Sequence, residues 1–122
     1  FISQNWKKYP ALIQDSTLVT KIIDIEKTIN GRAYYYIPKE KVLPFAGQIK
    51  TGDIILITTK KKGLDTAHVG IAIENEGQIY LLHASVSDKK VSVTTETLPD
   101  YLQRITSHSG IMIGRLINFK SN

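Results

Sequence analysis

Two histidines, His68 and His83, fall on segments that read as the paired strands of one β-hairpin. The first segment runs from Ala67 to Ile73, the turn is Glu74-Asn75-Glu76-Gly77, and the second runs from Gln78 to Ser85. Imidazole exchanges a proton near neutral pH, so two on one surface can serve as a general base and the group that orients it. Side chains alternate across a strand, which places His68, Gly70 and Ala72 on one face and Val69, Ile71 and Ile73 on the other. The pattern predicts a His68 face kept clear of bulk, with room for a substrate or a packed helix. The opposite, greasier face is expected to be core. If Glu76-Gly77 forms a two-residue loop, His83 falls opposite Gly70 and Ser85 opposite His68. The two histidines are then diagonal neighbours, about 7–8 Å apart at the backbone. A three-residue loop would turn His83 to the other side.

The chain contains no cysteine. That excludes disulfides, a zinc–thiolate site and a thiol nucleophile within these residues. Two histidines could begin a metal site, but the spacing supplies no third ligand, and no metal or cofactor is expected. Each histidine could equally fill a polar notch, and the residues alone leave that reading open. Ser85 shares the His68 face in the two-residue register, yet no helix N-terminus is aimed at it, which argues against a serine nucleophile. Asp65 and Thr66 are candidates for the rim of a cleft, with a turn role the plainer alternative. His108 sits in Thr106-Ser107-His108-Ser109-Gly110, a loop composition that predicts exposure. Arg115 would bind an acidic group or pair with a carboxylate. Tyr34, Tyr35 and Tyr36 read as packing residues.

These side chains need a scaffold, and the chain supplies one of α+β type. At 122 residues it is one domain or a large piece of one, with 42% apolar residues and no run long enough to span a bilayer. Ser16 or Thr17 could cap a helix from Leu18 to about Asn30, with Leu18, Ile22, Ile25 and Ile29 forming one apolar stripe that packs on something and Gly31 as its stop. Tyr34 to Ile37 reads as extended before Pro38, and Lys39 to Ala46 as one or two helical turns limited by Pro44. Strands are expected at Ile54–Ile57, buried on both faces, in the hairpin, at about Lys90–Thr94 and at Ile111–Ile117. A short helix, Leu98–Ile105, follows Thr97. The net charge is +5, which favours an anionic partner. Its clusters, Lys60-Lys61-Lys62 and Lys89-Lys90, are short and read as turn tips, and no strand interleaves basic and aromatic residues, so nucleic acid is not an expected partner.

Four segments in order carry a resemblance. Gly52-Asp53-Ile54-Ile55, His68-Val69-Gly70-Ile71 and Leu82-His83-Ala84 resemble the NlpC/p60 superfamily of papain-like cysteine hydrolases. Gly63-Leu64-Asp65 before His68, Leu81 to Ser85, Gly110-Ile111-Met112-Ile113 before Arg115, and Tyr34 to Pro38 are similar to its N-acetylmuramoyl-L-alanine amidase-like branch. The resemblance implies a papain-like antiparallel sheet with helices, incomplete at its N-terminus. Residues 1–122 would be the C-terminal part of a single domain, with a helical or irregular lead-in over about 1–49 and a sheet core over about 50–118. It implies His68 as the base and His83 as its orienting residue. The nucleophilic cysteine would lie upstream of Phe1, in another segment of the same gene product. The implied substrate is a peptidoglycan peptide or muropeptide, with Asp65, Thr66 and Ser85 as candidate contacts. The implied location is the cell envelope, periplasmic or secreted. A cysteine-less relative that binds cell-wall peptide without cutting it is the alternative. Loss of an upstream segment would leave apolar surface exposed and promote oligomers.

Overall fold

Five apolar segments beyond Lys50, with a short strand before it, pair into a six-stranded antiparallel sheet in a computed structural model that describes residues 1–117. The strands are β1 (Ile37–Pro38), β2 (Ile54–Thr59), β3 (Thr66–Asn75), β4 (Gln78–Ser85), β5 (Lys90–Val93) and β6 (His108–Gly114), in the spatial order β1-β6-β2-β3-β4-β5. Two helices belong with the sheet: α3 (Lys39–Phe45), with Pro44 in its last turn, and α4 (Leu98–Arg104). Thr97 caps α4 by accepting a hydrogen bond from the Asp100 amide. The predicted last strand ends at Gly114 instead of Ile117, and residue 118, the limit of the predicted sheet core, lies outside the described residues.

The chain separates into two compact units, Phe1–Tyr35 and Tyr36 onward. The first holds a 3-10 segment (Ser3–Lys8), α1 (Pro10–Gln14) and α2 (Thr17–Asn30). Leu12 is its one buried apolar residue. Its other anchor is polar: the Phe1 ammonium and the Ser3 hydroxyl and amide all donate to Glu26. The Ser3 hydroxyl is the main cause of the fall of the Glu26 carboxyl to about 2. The stripe on α2 is where expected but is not buried, since Ile25 and Ile29 are exposed and Leu18 and Ile22 only half-buried.

The hairpin turns at Glu76 and Gly77, whose φ values of 50° and 77° mark a tight two-residue loop. The ladder runs from Asn75↔Gln78 to Ile71↔Leu82, the register that brings His83 to the His68 face. The assignment of that face is reversed from the sequence expectation. The core lies on the side of His68, Gly70 and Ala72. Ile55, Ile57, Leu81 and Ile111 fill it from the neighbouring strands, and Leu98 and Leu102 from α4. The space beside Gly70 belongs to Leu81, whose Cδ1 would lie 2.5 Å from a Cβ placed on that glycine. Val69 and Ile71, expected inside, are 52% and 42% exposed. β2 follows the same division: Ile55 and Ile57 are fully buried, whereas Ile54 and Leu56 face the open side and are half-buried.

Candidate active site

Register brings the two imidazoles together. His68 Nε2 and His83 Nδ1 are 2.7 Å apart, with the rings edge to face at a centroid distance of 4.9 Å. One proton occupies that bond. If His68 Nε2 donates it, His83 keeps its own proton on Nε2, and His68 Nδ1 is a bare lone pair with no protein partner among the described residues. A proton arriving at His68 Nδ1 then leaves the bond intact, because the imidazolium still donates to His83. Burial lowers the His68 pKa, and the charge of His83 lowers it further. Both effects favour the uncharged imidazole of His68.

Two further aromatic residues extend the pair. The Tyr101 ring on α4 stands 5.6 Å from His83, edge to face, and 5.7 Å from His108. His108 is 4% exposed, so the loop reading of this residue is corrected. Polar composition there reflects backbone pairing, not solvent: Lys60 N and Thr59 Oγ1 both donate to Ser107 O, and His108 opens β6 opposite Thr59. The His108 Nδ1 atom is buried without a hydrogen-bond partner. Burial lowers the His108 pKa, and the nearby charges of His68, Lys39, Arg104 and Lys61 lower it further. All three histidines of the chain therefore lie on the inner side of the sheet around Tyr101. Strict alternation from the core residue Ile111 would turn His108 to the opposite face, and the irregularity between Thr58 and Thr59, which gives β6 an extra residue, hides its true place from the sequence.

His68 and His83 line a cavity of about 340 Å³ together with Thr94, Glu96, Tyr101 and Arg104. Ser85 also lines it. Its side chain is nearly buried, and its Oγ pairs with Ser87 Oγ at 3.0 Å and accepts from the Asp88 amide at 3.2 Å. Asp65 and Thr66 are not among the lining residues. Asp65 is exposed, its carbonyl accepting from Thr59 N, and Thr66 begins β3 opposite Thr58. Among the described residues, no cluster of three or more His, Asp or Glu side chains is placed to hold a metal ion.

A second charged feature braces the sheet. Arg115 donates through Nε to Asp53 Oδ1 and through Nη2 to Asp53 Oδ2, both at 2.6 Å, and Lys50 N donates to the same carboxylate at 2.8 Å. Chiefly through the Arg115 hydrogen bonds, the Asp53 carboxyl is held below its ordinary range. Arg115 thus pairs a carboxylate, the second of its two expected roles, and does so away from the histidines.

The geometry has relatives. A model of proteins described as AmiA-like, N-acetylmuramoyl-L-alanine amidase-like, matches residues 1–111. A crystal structure of an N-acetylmuramoyl-L-alanine amidase from Bacteroides uniformis is 38% identical, covering 93% of this chain and 48% of that one, with a TM-score of 0.78. A Bacteroides fragilis protein carrying a provisional xylanase label is also 38% identical, over 93% of this chain and 50% of that one, with a TM-score of 0.76. A Legionella pneumophila protein, at 24% identity and a TM-score of 0.53, over 81% of this chain and 40% of that one, shares the fold. Among curated proteins no similar sequence is found. The chain thus spans about half the length of the solved relatives it matches. With a family match across most of its length, the chain belongs to the N-acetylmuramoyl-L-alanine amidase-like family.

Proposed function

We propose that this chain supplies the base-bearing half of a peptidoglycan amidase or peptidase of papain-like, NlpC/p60 type. The observation that carries the reading is the 2.7 Å His68–His83 bond on the wall of a substrate-sized cavity. His68 Nδ1 accepts the proton of a thiol. The thiolate attacks the amide carbonyl, and the amine leaves with the proton His68 returns to it. Water, deprotonated by His68, then hydrolyses the thioester. Throughout, His83 Nδ1 holds the His68 Nε2–H and so fixes both tautomer and ring direction. The thiol comes from outside these 122 residues, which contain no cysteine. That fits relatives about twice as long. Action on cell-wall amides places the protein at the cell envelope, periplasmic or secreted. No helix of the described residues is long and apolar enough to cross a membrane.

The test is reconstitution. The 122-residue chain alone releases nothing from purified sacculi, and release appears when it is joined to a cysteine-bearing upstream segment. In the joined protein His68→Ala abolishes release, and His83→Ala lowers it by about 10²–10⁴-fold, the usual range for disabling proton transfer. Hydrolysis by the isolated chain, or full activity in His68→Ala, would overturn the proposal. The absence of cysteine also fits a second reading, a module that holds cell-wall peptide uncut. Sacculus binding with no product from the joined protein would favour it.

A further inference from the structure

The lining of the cavity carries an ion pair that the proton chemistry does not use. Arg104, in the last turn of α4, donates from Nε at 2.8 Å and from Nη2 at 2.6 Å, both to a single oxygen, Oε1 of Glu96. The Arg115–Asp53 pair in the same molecule shows the alternative, with each nitrogen on its own oxygen and Lys50 N and Gln48 O completing the set. That fork-to-fork pair is closed. The Arg104–Glu96 pair is half open: Glu96 Oε2 and Arg104 Nη1 have no protein partner among the described residues. The Arg104 and Glu96 side chains are 59% and 29% exposed, and each residue has one further neighbour. The guanidinium lies 5.3 Å from the Tyr101 ring centre. Thr94 Oγ1 donates to the Glu96 carbonyl at 2.8 Å. Arg104 is the one Lys or Arg among the residues lining the cavity.

We propose that Glu96 and Arg104 form a subsite for an amino-acid zwitterion, a residue bearing a free ammonium and a free carboxylate on one carbon. The carboxylate takes Arg104 Nη1, and the ammonium takes Glu96 Oε2. A neutral pair then meets a neutral dipole, so neither partner is left with an unmatched charge. Tyr101 links this subsite to the histidines, 5.6 Å from His83 on one side and 5.3 Å from the guanidinium on the other. The zwitterion is therefore a neighbour of the reacting amide and not the amide itself. The subsite rests on the cell-wall reading for the remainder of the ligand.

Binding tests this without any nucleophile. The probes are a synthetic stem peptide ending in meso-diaminopimelate, whose far carbon carries both charges, its form acetylated at that amine, and its form amidated at that carboxyl. Each is titrated into the full 122-residue chain and followed by NMR. Either modification weakens binding about tenfold or more, the scale of one charge-assisted hydrogen bond. Glu96→Gln removes the penalty for acetylation and keeps the penalty for amidation, and Arg104→Gln does the reverse. A general loss of structure cannot produce that crossed pattern. Equal affinity of the wild-type chain for all three probes overturns the subsite and leaves the cell-wall reading standing. No binding of any probe overturns both.

Discussion

The two faces of one sheet have similar composition and opposite fates. On the inner face Ile55, Ile57, Ala72, Leu81 and Ile111 are fully buried, and the histidines sit at the margin of that packing. On the outer face Val69, Ile71, Val91 and Val93 are exposed, Val91 by 69%. Apolar content therefore did not decide which side became core; the elements laid over it did. Gly70 looks like a vacancy in the sequence, but it is the site where Leu81 closes in, and Ala72 is fully buried in the cluster that Leu81, Leu98 and Leu102 share. The His68–His83 bond depends on this, because only the packed face can hold two imidazoles at a fixed 2.7 Å.

Substitutions that treat the faces alike should expose the contrast. Leu81→Ala, on the inner face, should cost about 2–5 kcal/mol in urea unfolding, whereas Ile71→Ala on the outer face should cost about 1 kcal/mol or less. Similar losses would mean that the outer face is packed after all. Gly70→Val comes next, at about 1–3 kcal/mol, since its Cβ would crowd Leu81 Cδ1 and the Leu82 carbonyl, the latter at 2.8 Å. Acid should then separate the faces chemically. His68 and His108 both have lowered pKa values in the folded chain. The unfolded chain therefore binds protons first, and their contribution, complete above the ordinary value of 6.5, is lost as pH falls through the folded values. His108→Phe keeps the ring and removes the buried Nδ1, so its urea midpoint should fall less between pH 7.5 and pH 5 than that of the unaltered chain. An unchanged slope would acquit His108. The smallest effect on stability belongs to Val69→Lys combined with Val91→Lys, about 0.5 kcal/mol or less. That pair should still reduce binding of a hydrophobic dye and concentration-dependent self-association, read by light scattering.

Much of the frame was legible in the residues. Glu76-Gly77 gave the turn, the turn set the register, and the register put His83 beside His68. Thr97 and Pro99 marked the start of α4, whereas only Ile37 and Pro38 pair as a strand, and Tyr34, Tyr35 and Tyr36, expected extended and packed, lie outside any strand and are exposed. What periodicity could not convey was which face would be covered, since alternation is symmetric until a helix is placed on it. Distance in sequence hid the rest. Nothing near Thr106–Gly110 announces that His108 will lie under Tyr101. Nothing local ties Glu96 to Arg104, or Asp53 to Arg115.

The sheet's two outermost strands set the manner in which this molecule could self-associate. β1 is two residues long and one of them, Pro38, lacks an amide hydrogen, while β5 is four residues long and opens on Lys90. Short borders carrying a proline and a cation are poor templates for backbone pairing with another chain. Clumping driven by the greasy side would stack molecules broadside, through side chains, and would dissolve on dilution instead of growing into fibrils.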